Sequence, residues 1–269
     1  MLIDTHCHLS LLSGARDNIY SIIQKAQKVE VISIVDISVG TDDFLSRQAL
    51  ARELAERSGM GIFMTAGISP YYAGKRVRGD VDLVKRQARG EGRVVAIGEI
   101  GLDYYHAWGS REEQIRLFSE QVDVASGLNL PAVVHTRDSD GDLLSVLKRH
   151  RPAGGGIVHC FSSGVETARA LLDLGFYLSF AGNLTYKRSA AIRETARFVP
   201  SDRYLIETDA PYLSPEGFRG GSNEPALLKV TAAFLADLRG VSFERLAEET
   251  VRNARAVGKL DSSEFKSSP

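Results

Sequence analysis

The chain has 269 residues, 43% of them hydrophobic and 25% charged, and a formal net charge of −1. This suits one large or two small soluble domains with a sizeable core, and it excludes a general electrostatic attraction to nucleic acid or an anionic membrane. No apolar run reaches the roughly 18 residues of a membrane span. The start Met1-Leu2-Ile3-Asp4 lacks a basic and apolar export pattern, and two cysteines are too few for a disulfide framework, so a cytoplasmic protein is expected.

In chain order, short and nearly continuously apolar runs predict strands at residues 2–6, 31–37, 62–68, 94–99, 132–135, 156–159, 176–180 and 204–208. Unbroken apolar character is what parallel strands covered by helices require. Between and after them, apolar residues three and four apart predict helices at 18–29, 44–57, 112–126, 142–148, 166–174, 226–238 and 243–257. Gly59 and Gly127 are expected as left-handed residues ending two of these helices. The alternation predicts an α/β fold, a single-domain (β/α)8 TIM barrel over residues 1–260, with a doubly wound open sheet as the alternative. Residues 261–269 are polar and Ser-rich and are expected to form a flexible tail.

Ionisable residues gather at the C-terminal ends of these strands, where barrel enzymes build their sites. Strand one ends in His6 and His8, which share a face because side chains alternate. The fourth ends in Gly98-Glu99-Ile100-Gly101-Leu102-Asp103, the fifth in His135-Thr136-Arg137-Asp138, the sixth in His159-Cys160, and the eighth in Glu207-Thr208-Asp209. Four of the six histidines lie at these ends. With two or three carboxylates they make an inventory for two divalent ions, with Zn, Mg, Mn, Fe and Ni all compatible. A structural zinc site is disfavoured, because cysteine pairs at finger spacing are absent. His106 and His150 lie elsewhere and read as surface or packing residues; Cys7 points off the His6/His8 face and reads as packing.

In this order, His6-x-His8, Gly98-Glu99-Ile100-Gly101-Leu102-Asp103, His135-Thr136-Arg137-Asp138, His159-Cys160-Phe161-Ser162 and Glu207-Thr208-Asp209-Ala210-Pro211-Tyr212-Leu213 resemble the TatD family of metal-dependent hydrolases. The resemblance implies a DNase-like phosphodiesterase, most simply a 3′ exonuclease on single-stranded DNA. It implies one ion on His6, His8, Glu99 and Asp209 and a second on Glu99, His135 and His159, with Asp209 as the base for water. Arg137 is the candidate phosphate clamp, Tyr104 with Tyr71, Tyr72 and Trp108 a candidate for base stacking, Glu207 a supporting group or extra ligand, and Asp4 an orienting group. Two departures bear on substrate: Ser69-Pro70-Tyr71 stands where the family has His-Pro-His, and Gly221-Ser222 where it has basic residues before Asn-Glu-Pro. A hydrolase of another ester, amide or small phosphoester, such as a deacylase, is the alternative. A protein that binds metal or nucleic acid without turnover is the third reading. The expected partner is DNA or another phosphoester at the barrel rim, with neither a membrane nor an obligatory protein partner.

Overall fold

The computed structural model describes residues 1–12, 16–90, 92–106 and 108–258; the expected tail at 261–269 lies outside them. Eight parallel strands run in the order of the sequence: β1 Leu2–Cys7, β2 Val31–Asp36, β3 Gly61–Ala66, β4 Val94–Asp103, β5 Ala132–Arg137, β6 Gly156–Val158, β7 Phe176–Phe180 and β8 Tyr204–Ile206. The Cys7–Ala210 bridge brings the end of β1 against the chain beyond β8, so the sheet curls into a (β/α)8 barrel. The open-sheet alternative is thereby set aside.

The helices are α1 Leu9–Leu12, α2 Arg16–Lys28, α3 Phe44–Ser58, α4 Asp80–Gly90, α5 Arg111–Leu128, α6 Asp140–Arg149, α7 Val165–Asp173, α8 Ala190–Phe198, α9 Leu228–Arg239 and α10 Phe243–Gly258. Three of them, α1, α4 and α8, were not among the predicted helices. Gly59 ends α3 at φ 70 as expected. Gly127 does not end its helix: α5 runs on to Leu128, and Asn129 takes the left-handed position at φ 52. Asn tolerates that region through its short polar side chain.

Two apolar clusters follow the barrel geometry. An inner one joins Ile3, Val35, Phe63, Ala96, Val133, Ile157 and Leu205 from seven strands. Val251, Ala254 and Val257 of α10 belong to it, so the last helix covers the N-terminal mouth. The outer cluster places the alternate residues, such as Ile34, Ile62, Ile97, Val134, Leu178 and Ile206, against the helices. The N-terminal mouth is sealed with apolar matter, which leaves the C-terminal rim for polar chemistry.

Candidate metal centre

Two irregularities in the sheet aim candidate ligands inward. In β4, Ala96 lies in the inner cluster and Ile97 in the outer one, so strict alternation would turn Glu99 outward. The register with β5 shifts between Gly98 and Ile100, and Ile100 and Leu102 are both outer residues. A bulge thus turns Glu99 into the barrel, the re-aiming that bulges perform near active sites. The flanking glycines permit it. A Cβ at Gly98 would lie 2.5 Å from Val133 Cβ, and one at Gly101, at φ 140, would lie 2.0 Å from the His135 carbonyl oxygen. In β1, Ile3 is inner and Cys7 outer, with a register shift between Asp4 and Cys7 that brings His6 to the interior face.

The side chains converge on Glu99. Its Oε2 lies 3.6 Å from His6 Nε2 and 3.9 Å from His8 Nε2. Asp209 Oδ1 is 3.6 Å and 3.4 Å from the same two nitrogens. The other oxygen, Oε1, lies 3.2 Å from His135 Nδ1 and 3.7 Å from His159 Nε2, with these two nitrogens 3.0 Å apart. Atoms about 2.1 Å from one tetrahedral ion sit about 3.4 Å from each other. The observed spacings match that figure and are mostly too long for hydrogen bonds. The donor set fits metal on a second ground: both ring nitrogens of His6 are buried without a hydrogen-bond partner. Asp209 adopts φ 56, and its backbone N–H donates to the His6 carbonyl at 2.9 Å, so β1 itself seats it.

Charge is arranged to suit a cation. Burial opposes ionisation of Glu99, but His159, His6 and His135 outweigh it and hold the carboxyl well below its usual range. Burial likewise opposes the Asp209 charge, and His8, His6 and His159 overcome it. Burial, helped by the neighbouring His159 charge, pushes His6 toward its neutral form. Ionised carboxylates and neutral imidazole are the forms that ligate divalent ions. Against the pull of burial, His8 and His159 are instead held toward their protonated forms, by Asp209 and by Glu99 with Glu207, so a cation at those rings displaces protons.

The remaining candidates stand around this centre. Glu207 is fully buried behind His159; its Oε1 accepts from the Cys160 N–H at 2.6 Å and lies 3.4 Å from His159 Nδ1. With His6 and His159 it forms a third group whose atoms lie within 4.8 Å of each other. Asp4 accepts from Thr208 N and Thr208 Oγ1 at 2.9 and 2.6 Å, so it ties β1 to the turn that carries Asp209 and does not orient a ring. Tyr104 donates its hydroxyl to Asp142 at 2.6 Å, and the Arg137 guanidinium lies 3.9 Å over the Tyr105 ring.

Three contributors escape sequence reasoning. Asp103 is fully buried, with Oδ2 3.2 Å from His135 Nε2 and 2.8 Å from His106 Nδ1. His106, expected at the surface or in packing, is thereby tied to a metal-ligand candidate through one carboxylate. Asn223 donates to the carbonyls of Thr208 and Tyr212 at 2.8 and 2.7 Å, bracing the Asp209 turn from behind. Asn223 sits in an Asn-Glu-Pro element that was readable, but its role depends on a contact across the barrel end.

The sequence profile of the TatD related DNase family matches residues 3–259. The metal-dependent hydrolase YcfH of Escherichia coli (strain K12) is 36% identical over 269 residues, covering 99% of this chain and 98% of that one. The 3′-5′ ssDNA/RNA exonuclease TatD of Erwinia billingiae (strain Eb661) is 32% identical over 265 residues, covering 96% and 99%. Among solved structures, the TatD homolog YJJV from Escherichia coli K12 superposes with a TM-score of 0.87 at 28% identity, covering 97% of this chain and 98% of that chain.

Proposed function

The chain belongs to the TatD family of metal-dependent hydrolases, and from that premise we propose that it cuts phosphodiester bonds at the 3′ ends of single-stranded DNA, in the cytoplasm, with two divalent ions. The observation that carries the two-ion reading is the division of Glu99, whose Oε1 and Oε2 face separate donor sets. Nucleic acid as substrate is supported by the Erwinia relative, named an exonuclease on single-stranded DNA and RNA. A barrel mouth admits a strand end far more readily than a duplex.

His6, His8, Asp209 and Glu99 would hold one ion, and Glu99, His135 and His159 the other. When bound, such a pair supplies a nucleophilic water at neutral pH and neutralises charge on the phosphoryl group. The chain's own groups do the rest. Asp209, ionised and 9% exposed at the inner edge of the mouth, accepts the proton of the attacking water. Asp103 holds His135 by a hydrogen bond, so that ring does not swing as charge builds, and the Glu207 carboxylate, 3.4 Å behind His159, offsets charge on that ring. Asn223 keeps the Asp209 turn from relaxing outward.

A second reading, hydrolysis of another ester, amide or small phosphoester at the same centre, is favoured by the Ser69-Pro70-Tyr71 and Gly221-Ser222 substitutions, which leave fewer cations for a polyanion. The test strips the protein with chelator, restores single metals, and offers 3′- and 5′-labelled single strands, duplex, small phosphoesters and carboxyl esters. Shortening of single strands from the 3′ end is expected, with Asp209→Asn lowering turnover by about 10²–10⁴-fold at unchanged thermal stability. Hydrolysis of carboxyl esters with every strand intact would overturn the nuclease reading in favour of the second.

A further inference from the structure

Beside the metal centre the rim carries a string of rings that the hydrolytic chemistry does not use. Tyr71 meets Trp108 edge to face, with centroids 5.0 Å apart. Trp108 lies parallel to His106 at 4.5 Å and 6°, and His106 meets Tyr105 at 4.9 Å. The string ends in two cations: Lys75 Nζ 4.3 Å over Tyr71, and Arg137 3.9 Å over Tyr105. Its middle is fastened to the centre, since His106 Nδ1 and His135 Nε2 share Asp103 Oδ2 at 2.8 and 3.2 Å. Tyr71 remains 38% exposed and Tyr105 61%. Rings held in order yet left open to water add little to folding, because the apolar area removed from water is small. Part-exposed rings capped by cations, beside the proposed phosphodiesterase centre, are the chemistry that holds a nucleotide strand.

We propose that Tyr71 and Tyr105, ordered by the Trp108–His106 stack between them, seat two nucleobases of the strand whose phosphate enters at the His135 side. The proposal rests on the nuclease reading above and adds to it the residues that recognise the base. Lys75 and Arg137 bring positive charge to the phosphates between those bases. Recognition by stacking is sequence-tolerant, because every base offers a π-face. It also gives Ser69-Pro70-Tyr71 a positive meaning: position 71 supplies a ring to this string.

The chain's single tryptophan is Trp108, so its emission reports from the middle of the proposed seat. The metal-loaded protein is titrated with a phosphorothioate oligothymidylate and, separately, with an abasic phosphorothioate strand of equal length. Binding is followed both by Trp108 emission and by the anisotropy of an end label. A saturable emission change with the thymidylate, and a weaker fit of the abasic strand, are expected. Tyr71→Ala and Tyr105→Ala should each weaken thymidylate binding roughly 5–150-fold, the equivalent of about 1–3 kcal/mol per stacked base. The same variants should narrow the gap between the two strands, and Tyr71→Phe and Tyr105→Phe should restore it. Anisotropy showing tight binding with Trp108 emission unchanged would overturn the seat and leave the nuclease reading standing. Equal affinity for both strands would do the same. If neither strand binds and an unmodified oligothymidylate of the same length stays intact, the nuclease reading falls and takes the proposal with it.

Discussion

Asp103→Asn is the sharpest probe of how the metal centre is held. Asp103 accepts three hydrogen bonds in full burial: from His135 Nε2 at 3.2 Å, from His106 Nδ1 at 2.8 Å, and from the His106 backbone N–H at 2.9 Å. His135 turns Nδ1 toward Glu99, so the proton on Nε2 is assigned by that network. An asparagine replaces one acceptor oxygen by an N–H₂ group. If the amide oxygen faces the two rings, the N–H₂ meets the His106 backbone N–H. If it is turned the other way, the N–H₂ meets the His135 ring N–H. Either orientation leaves at least one buried donor facing another, a cost of about 1–3 kcal/mol. Loss of the group that orients a ligating histidine lowers metal affinity by about 10–100-fold, or about 1.4–2.7 kcal/mol. The two ranges coincide, so most of the conflict should appear in binding at the Glu99–His135–His159 set. Titration of the metal-loaded variant with a competing chelator resolves the two dissociation constants. One should weaken by about 10–100-fold while the other, for the His6–His8 set, moves by less than about threefold. Two constants both within about twofold of the parent would refute the claim that Asp103 positions His135.

Two further outcomes test the scaffold. Gly101→Ala places a methyl 2.0 Å from a backbone oxygen at φ 140, where neither side can yield, and should lower stability by at least about 2 kcal/mol in urea unfolding; a parental midpoint would refute the close approach of β4 to β5. Burial alone would raise the Glu249 carboxyl, but the Tyr204 hydroxyl and Arg245 hydrogen bonds, with the Arg245 and Arg239 charges, bring it below its ordinary 4.5. A depressed carboxyl stabilises fully above its unfolded value and less as pH falls through the folded one. Stability of the metal-free protein should therefore fall as pH drops below about 4.5, and Glu249→Gln should flatten that slope; an identical slope in the variant would contradict the assignment.

The fold was legible because each strand is a short apolar run and each long helix carries an amphipathic stripe. The candidate site was legible where a polar residue interrupts an apolar strand end, as at His6, His135, His159 and Asp209, which the structure brings together. Legibility stopped where the cause is non-local. Glu99 was named through the family resemblance, but strand alternation would have turned it outward; it faces inward because of a bulge whose position depends on Val133 and His135 in the neighbouring strand. His106 looked like an ordinary loop residue, since its link to His135 passes through a carboxylate whose orientation no local pattern encodes. Tyr104 was read as a stacking ring and Arg137 as a phosphate clamp; the structure puts the Tyr104 hydroxyl on Asp142 and the Arg137 guanidinium over the Tyr105 ring, contacts that no local pattern encodes. Gly127 was read as a helix end from residue type alone, whereas the turn closes on Asn129, which bonds back to Ala125 and Ser126.

The Cys7–Ala210 seam has a consequence for the birth of the protein. His6 and His8 come from the first strand and Asp209 from the segment after the last one, so one half of the centre joins the two ends of the barrel. On the ribosome, His6 emerges about 200 residues before Asp209, which at about 5–20 residues per second is a wait of roughly 10–40 s. During that wait the growing chain holds His6 and His8 without the carboxylate of Asp209 from beyond β8. On the proposed assignment, that half of the centre is complete only once the segment beyond β8 has been made, so a nascent polypeptide stalled before Asp209 lacks it however well its early strands have formed.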